Sequence, residues 1–319
     1  MSLIARRAAA PHRSRRTSLP AAGPSPDTVP ATSPTARRTV VPSRYDAVAS
    51  ASAAVVIRAY STSFGWACRL LAEPEREHVR NVYALVRVAD EIVDEPDPTW
   101  PADDRGRLLT ALEEDVYRAL HTGRSANLVV HAFARTARRY GIGRDLIAPF
   151  LASMRADLSV SRHDAASLAQ YVHGSAEVVG LMCLRIFVAG DDAAYTRLAT
   201  GAVRLGAAFQ KVNFLRDLAE DHDALGRTYF PGLDPATFGD AHRDTLLAAI
   251  DADLAAAERA LVQLPPGSRR AVRVAHDLFR ELSRRLAATP AAEIRRRRVR
   301  VPDHVKARIV ARAVLTGGR

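Results

Sequence analysis

Apolar residues recur at steps of three and four along most of the chain after Tyr45, which is the period of helices with one buried face. The clearest stripe is formed by Val79, Val82, Tyr83, Val86, Ala89 and Val93. Acidic residues beside Pro74 favour a helix start, and the run Glu95-Pro96-Asp97-Pro98 ends that helix. Further helices are predicted over 103–122, 127–140, 144–157, 167–189, 192–223, 242–263, 267–288 and 303–315. No segment alternates with period two over a useful length, so the sequence predicts an all-α fold.

The helical pattern separates the chain into two parts. Residues 1–43 are rich in Ala, Pro, Ser, Thr and Arg and hold almost no large apolar side chains, which predicts a disordered basic arm. Residues 44–319 hold the helical pattern and are expected to form one all-α domain. Because the arm is rich in Arg and Ser and poor in acids, a plastid-type transit peptide is an alternative to a dispensable bacterial N-terminus.

The net charge of +11 is concentrated at the two ends of the chain. Residues 1–44 carry +7 and residues 284–319 carry +9, which leaves −5 for residues 45–283. An acidic body with basic ends argues against a nucleic-acid-binding protein, which needs positive charge on a folded face. No apolar run reaches the ~18 residues of a membrane-spanning helix. Cys68 and Cys183 lie far apart, which predicts neither a disulfide framework nor a cysteine zinc site.

Candidate chemistry lies in a short acidic pattern that occurs twice. Asp90 and Asp94 are four residues apart in one predicted helix, and Asp217 and Asp221 are four apart in another. Positions i and i+4 share a helix face, so each pair sets two mutually repelling carboxylates side by side. Oxygen ligands on a rigid helix suit Mg²⁺, which completes its shell with water and phosphate oxygens. A single pair of this kind is usually a solvated helix face, so the surroundings decide between the two interpretations.

The surroundings of both pairs favour a ligand site. Gln210 and Asn213 extend the second pair into a polar stripe, beside small residues at 206–208 that leave room for a ligand. The first pair continues an apolar stripe, where a carboxylate that faces the core would otherwise be costly. Arg87 and Arg216 lie just ahead of aspartates and can bind phosphate oxygens through a planar pair of N–H donors.

Several segments of the chain form a recognisable set. They are Tyr60-Ser-Thr-Ser-Phe64, Val82-Tyr-Ala-Leu-Val-Arg-Val-Ala-Asp-Glu-Ile-Val-Asp94, Tyr171-Val-His-Gly-Ser-Ala-Glu-Val-Val-Gly180, Gln210-Lys-Val-Asn-Phe-Leu-Arg-Asp-Leu-Ala-Glu-Asp221 and Gly226-Arg-Thr-Tyr-Phe-Pro231. The block N-x-x-R-D-x-x-x-D ahead of G-R-x-Y-x-P is highly specific. With these motifs the chain resembles the squalene/phytoene synthase family from about Tyr45 to about Gly317, and within it the actinobacterial phytoene synthases.

The resemblance implies an isoprenoid-synthase fold, a single-domain helical bundle around a central cavity, that joins two prenyl diphosphates head to head. The implied reaction converts two geranylgeranyl diphosphates, through a cyclopropyl (prephytoene) diphosphate, to 15-cis-phytoene for carotenoid biosynthesis. Mg²⁺ is the implied cofactor, with Mn²⁺ as a substitute, and the phytoene reaction is expected to need no NADPH.

Other activities stay open at this point. The nearer alternative is a squalene or dehydrosqualene synthase that acts on farnesyl diphosphate. Head-to-tail elongating enzymes and terpene cyclases tend to begin the first motif with Asp-Asp, whereas this chain has Asp90-Glu91. The most distant alternative is a non-catalytic helical protein that binds lipid or nucleic acid.

The resemblance also implies roles for individual residues. The expected metal ligands are Asp90, Asp94, Asn213, Asp217 and Asp221, and the expected contacts of the diphosphates and prenyl chains are Ser63, Phe64, Arg87, Tyr171, His173, Gln210, Asn213, Arg216 and Tyr229. Phe64 would pack against a prenyl chain. His173 departs from the pattern, because bacterial members usually show Tyr there, so a role of that Tyr in guiding carbocations is not carried over.

The basic run from Glu293 to Arg300 precedes a helix whose apolar residues can pack on the body. One or two of its arginines are expected to reach the diphosphates, and the others to favour an anionic membrane surface at ~1 kcal/mol each. A solvated charge run is the alternative. Because a C40 or C30 hydrocarbon is insoluble in water, we expect a cytoplasmic protein that attaches peripherally to a membrane. Nothing in the sequence fixes the product length or the oligomeric state.

Overall fold

The computed structural model describes residues 42–61, 63–94, 99–219, 227–234 and 237–316, without the side chain of Ser63. Within these ranges every regular element is a helix, and the β-type contact they contain is an isolated bridge between Arg162 and Thr228. The prediction of an all-α fold is therefore confirmed.

The helices follow one another with short connections. In chain order they are α1 (Arg44–Tyr60), α2 (Ser63–Cys68), α3 (Glu75–Asp94), α4 (Ala102–Thr122), α5 (Leu128–Tyr140), α6 (Arg144–Ala156), α7 (Ala165–Val172), a π-helical turn (His173–Glu177), α8 (Val178–Phe187), α9 (Asp192–Arg216), α10 (Asp240–Leu261), α11 (Pro266–Ala287), α12 (Ala291–Ile294) and α13 (Asp303–Leu315). Helix α1 begins at Arg44, where the sequence analysis placed the start of the folded domain. The predicted arm before Pro42 lies outside the described residues.

The predicted helix over 167–189 is interrupted by the π-turn. Gly174 lies in this turn against α6, where an added Cβ would overlap the carbonyl oxygen of Pro149. The wider π-turn and the missing side chain together let the backbone approach α6 more closely than a regular helix with a larger residue could. A periodicity of three and four cannot reveal one extra residue in a turn.

The predicted helix over 192–223 ends earlier than expected. Helix α9 stops at Arg216, and Asp217 is its C-cap, with φ −98° and ψ 10°. Residues 220–226 lie outside the described part of the chain. The prediction of one continuous helix over 192–223 was therefore wrong at Asp217, where arginine side chains contact the carboxylate and after which residues 218–219 are helical again. That Asp217 and Asp221 share a face stays a prediction.

Asp46 fastens the first helix to the bundle. Its backbone N–H donates to the Ser43 side chain and its Oδ2 accepts from the Ser43 N–H, which is a reciprocal cap of α1. Its Oδ1 also lies 2.8 Å from Nε2 of His131 on α5, a buried side chain. Burial alone would raise the pKa of Asp46. The hydrogen bonds from His131 and Ser43 outweigh this effect and lower the pKa to about 2.

We predict that Asp46→Ala lowers the free energy of unfolding by about 2–4 kcal/mol at neutral pH. The substitution removes a helix cap and leaves Nε2 of the buried His131 without its partner. Ser43→Ala is the control and should cost about 1 kcal/mol, since it removes only the cap. Urea unfolding measures both. The folded pKa lies below the ordinary value of 3.8, so the stabilisation is present above about pH 4 and is lost as the pH falls toward 2. Equal stabilities of the two variants at neutral pH would contradict this account.

Candidate active site

The helices enclose an apolar cavity of about 240 Å³, with walls from α2, α3, the π-turn, α8, α9, α10 and α11. Phe64 lies in this wall and stacks on Tyr83, with ring centroids 5.5 Å apart. Cys68 and Cys183 line it as well, and burial raises the pKa of the Cys183 thiol to about 12 and that of Cys68 above its ordinary value. Both cysteines are free thiols.

Glycines bring two sides of the cavity wall into direct contact. A Cβ on Gly180 would lie 2.8 Å from the carbonyl oxygen of Ala202, and one on Gly206 would lie 2.6 Å from that of Ala176. Side chains do not approach backbone so closely, so glycine is required for α8 and the π-turn to lie directly against α9. This contact closes the cavity wall along that seam.

Polar residues continue the cavity wall along the same face of α9. Gly206 lines the cavity, and Gln210, Asn213 and Asp217 follow it at steps of three or four. Asn213 Oδ1 is buried and accepts no hydrogen bond from the described residues. A buried amide oxygen without a donor is costly unless a ligand or a cation satisfies it. Helix α9 therefore joins an apolar cavity to a polar end that can still bind a partner.

Two arginines hold Asp217 at the end of α9. Nε of Arg216 and Nε of Arg298 each lie 2.8 Å from Asp217 Oδ1. Arg298 belongs to the C-terminal basic run, so that run reaches the predicted metal motif. The contact of these arginines with a diphosphate stays a prediction. Asp221 lies outside the described residues, and so does the side chain of Ser63.

The first aspartate motif lies at the C-terminal end of α3. Nη1 of Arg87 lies 2.7 Å from Asp90 Oδ2. Burial and then the charge of Asp94 raise the pKa of Asp90 to about 6, while Arg87 and Arg227 oppose the rise. A carboxylate that is disfavoured by burial and by a like charge gains most from a nearby cation. A cation beside Asp90 would therefore favour its ionised form.

Arg227 connects the first aspartate motif to the segment 227–229, which follows the second aspartate motif. Its Nη1 lies 2.6 Å from Asp94 Oδ1, and its Nη2 donates to the carbonyl oxygens of Val93 and Asp157 over 3.1 and 3.0 Å. The guanidinium is buried, with 8% of the side chain exposed. A guanidinium group that donates to this many acceptors is fixed in position.

Tyr171 and Tyr229, which were both predicted to contact substrate, are buried beside Asp157. The Tyr171 hydroxyl donates to Asp157 Oδ2 over 2.7 Å, and the Tyr229 hydroxyl lies 3.5 Å from Oδ1. Tyr229 also stacks on Phe214 of α9, with ring centroids 4.0 Å apart. The segment 227–229 thus contacts both motif-bearing helices. Neither tyrosine is among the cavity-lining residues, and their contact with substrate stays a prediction.

His173 opens the π-turn and has a partner there. Its Nδ1 lies 2.9 Å from Oε2 of Glu177, and about half of its side chain is exposed. His173 does not belong to the residues that line the cavity. Its predicted contact with substrate therefore stays a prediction.

The predicted metal ligands that the structure describes are of a type that fits a hard divalent cation. They are carboxylate and amide oxygens: Asp90, Asp94, Asn213 and Asp217. Mg²⁺ binds through one or two carboxylates and fills its shell with water and phosphate oxygens, so the unpartnered oxygen of Asn213 supports the fit. The described residues contain no preformed group of three or more His, Cys, Asp or Glu side chains, and Asp221 is not among them. Together with the arginines and the cavity, these donors can bind an anionic head and bury an apolar tail.

Two residues of this region were missed by the sequence analysis, Asp157 and Arg227. Arg227 stood in the motif G-R-x-Y-x-P but received no role. Asp157 had a signal that was overlooked, since it continues the buried stripe of α6, three residues after Met154. A carboxylate that extends a buried apolar stripe is costly without a partner, and this holds for Asp157 as it does for Asp90.

Several curated prenyl-synthase sequences are similar to this chain. The 4,4'-diapophytoene synthase of Staphylococcus haemolyticus is 27% identical over 177 residues, which cover 55% of this chain and 59% of the relative. The phytoene synthase of Pseudescherichia vulneris is 26% identical over 255 residues, which cover 72% of this chain and 79% of the relative. The chain spans less than two thirds of the length of several curated relatives that it matches, between 41% and 59%.

The fold is shared with solved structures. A squalene synthase from Alicyclobacillus acidocaldarius matches with a TM-score of 0.65 and 22% identity, over 77% of this chain and 96% of that one. Residues 57–304, more than half of the chain, match the family model described as squalene/phytoene synthase. The protein belongs to the squalene/phytoene synthase family.

Proposed function

We propose that the protein is a phytoene synthase, which condenses two geranylgeranyl diphosphates head to head and releases both diphosphates. The observation that carries the proposal is the order of residues along α9. The apolar cavity wall at Gly206 is followed by Gln210 and Asn213 on the same face, and Asp217 is the C-cap of the helix. A ligand with a long apolar chain and an anionic head matches this change from apolar to polar.

Breaking the C–O bond of an allylic diphosphate is the first requirement of the reaction. Negative charge grows on the leaving diphosphate, and the guanidinium groups of Arg87 and Arg216 can donate N–H bonds to its oxygens. Mg²⁺, held by the two aspartate motifs and Asn213, supplies Lewis-acid neutralisation of the same charge when bound. The arginines then exchange their carboxylate partners for phosphate oxygens.

The cavity protects the carbocation that remains on the prenyl chain. Its walls are apolar, so water is excluded while the double bond of the second substrate attacks the cation. That step closes a cyclopropane and releases a proton, and a second C–O cleavage opens the ring to the 1–1′ linked skeleton. Loss of a second proton gives phytoene. No electrons are gained in this sequence, so the proposal includes no NADPH.

The length of the cavity supports a prenyl chain of several isoprene units. Its lining on α9 runs from Leu198 to Phe209, which is about 16 Å of helix axis. Wall residues along this length are small, among them Gly201, Ala202 and Ala260. Geranylgeranyl diphosphate is preferred over farnesyl diphosphate because the motifs resemble those of phytoene synthases.

Product analysis tests the proposal. Purified full-length protein with Mg²⁺ should convert geranylgeranyl diphosphate to a C40 hydrocarbon that comigrates with 15-cis-phytoene, without NADPH. A parallel reaction with farnesyl diphosphate should yield much less C30 product. Exclusive use of farnesyl diphosphate would replace the proposal with a squalene or dehydrosqualene synthase, and release of diphosphate from neither substrate would overturn it.

The aspartate motifs generate a second prediction. We expect Asp90→Ala, Asp94→Ala, Asp217→Ala and Asp221→Ala each to lower turnover by roughly 10²-fold or more, because the leaving diphosphate loses stabilisation. Asp104→Ala on α4 is the control, since this exposed acid also pairs with an arginine, Arg107, but lies outside the site. Melting temperatures should change little in all five variants. Full activity of Asp217→Ala would contradict the assignment of the second motif.

Peripheral attachment to an anionic membrane is proposed through α13. Among the described residues, no helix combines the length and apolar character needed to cross a bilayer. At the end of α13 the side chains of Val314 and Leu315 are exposed, the latter by 86%. Arg308 and Arg312 lie on the same helix and are exposed. Apolar and basic side chains at one helix end favour the interface of an anionic bilayer.

Flotation with liposomes measures this attachment. Replacing Arg308 and Arg312 by Gln should lower partitioning onto anionic liposomes by about 30-fold, at ~1 kcal/mol for each charge. A variant with Arg107 and Arg118 replaced by Gln is the matched control, because it removes two exposed charges from α4. High salt should weaken the binding of the wild-type protein. Equal partitioning of both variants would exclude attachment through α13.

A further inference from the structure

We propose that Asp157 is a positioning residue of the site, which acts through Arg227 to fix the carboxylate of Asp94 for a metal ion. This inference rests on the proposed function, because it needs a divalent cation at the first aspartate motif. It assigns a role to a residue that lies in none of the sequence motifs.

Asp157 is placed to act on other protein groups rather than on substrate. Its side chain is 4% exposed, directly after the end of α6, and it is absent from the cavity lining. An ionised carboxyl in such a place is costly unless several donors hold it. Burial raises the pKa of Asp157 to about 7, and Arg227 and the Tyr171 hydroxyl oppose that rise.

Arg227 transmits the effect of Asp157 to the first motif. The Nη1 atom that lies 2.6 Å from Asp94 Oδ1 also lies 3.8 Å from Asp157 Oδ1. One positive charge is therefore shared between two carboxylates. Sharing weakens the hold of Arg227 on Asp94, so that the Asp94 carboxylate stays oriented but can still accept a cation.

Two tyrosines hold Asp157 in turn. The Tyr171 hydroxyl donates to Oδ2 over 2.7 Å, and the Tyr229 hydroxyl approaches Oδ1 at 3.5 Å. The rings lie 5.3 Å apart between centroids, so the aromatic packing fixes both hydroxyls. The Tyr171 hydroxyl therefore has Asp157 as an acceptor, and Tyr171 does not line the cavity.

The experiment measures metal binding apart from catalysis. Mn²⁺ binding to the full-length protein is followed by EPR in the presence of inorganic diphosphate, for the wild type and Asp157→Asn. The substitution keeps the shape of the side chain but leaves the whole charge of Arg227 on Asp94. We expect the Mn²⁺ dissociation constant to rise roughly tenfold or more, in the range typical of groups that orient metal ligands. In the activity assay the Mg²⁺ requirement should rise in parallel, with a smaller change in KM for the prenyl diphosphate.

Asp253→Asn is the matched control. Asp253 is likewise a buried carboxylate with cationic partners, since Arg204 and Lys211 lie 2.9 and 2.7 Å from its oxygens. Its replacement should lower the melting temperature as much as Asp157→Asn does, while Mn²⁺ binding stays at the wild-type level. A loss of Mn²⁺ affinity in both variants would reduce the role of Asp157 to general stability and overturn the proposal.

Tyr171→Phe provides an independent variant should Asp157→Asn fail to fold. It keeps the ring packing and removes one donor to Asp157, so we expect a severalfold weaker Mn²⁺ affinity. Unchanged Mn²⁺ affinity together with a raised KM for the prenyl diphosphate would mean that Tyr171 contacts substrate, and would refute the positioning role. The binding measurement does not depend on product formation. A protein that binds Mn²⁺ and diphosphate in an Asp157-dependent way but makes no phytoene would therefore reject only the proposed substrate.

Discussion

Half-buried and buried carboxylates have to be neutralised, and this requirement explains how arginines are arranged around the two aspartate motifs. Asp90 and Asp94 share one face of α3, where burial and mutual repulsion disfavour the ionised form of Asp90. Arginines from three distant stretches of the chain supply the opposing charge: Arg87, Arg227 and Arg298. Paired with carboxylates, these groups are stable without a ligand. In the proposed reaction Arg87 would exchange its carboxylate partner for diphosphate oxygens, while Arg227 stays on Asp94.

The cavity imposes the second constraint, because an apolar chain and a carbocation both require a wall without water. Glycines at 180 and 206 let α8 and the π-turn lie against α9 without intervening side chains. Helix α9 then serves both regions, with apolar and small residues along the cavity and Gln210, Asn213 and Asp217 at its end. The same helix carries Arg204 and Lys211, which pair with Asp253 on α10.

Local sequence pattern predicted the helices and the placement of Asp90 and Asp94 on one face of α3, since both follow from spacing along one element. Contacts between distant segments were not predictable in this way. Arg227 meets Asp94 across 133 residues of sequence, and the hydroxyl of Tyr171 is used by Asp157 and not by the cavity. The end of α9 at Arg216 was also missed, because the helical period continues past it while tertiary contacts hold Asp217 in another conformation. The π-turn has no periodic signature, although Gly174 marks the place where the backbone meets α6.

A crystal structure of the protein with Mg²⁺ and a non-reactive thio analogue of geranylgeranyl diphosphate tests the central claim most directly. The account predicts metal ions bound to Asp90 and Asp94 and to Asn213 and Asp217, a diphosphate in contact with Arg87 and Arg216, and the prenyl chain inside the cavity beside Phe64. In that structure Arg227 should still join Asp157 to Asp94. A diphosphate bound elsewhere on the surface, or a prenyl chain outside the cavity, would contradict the account.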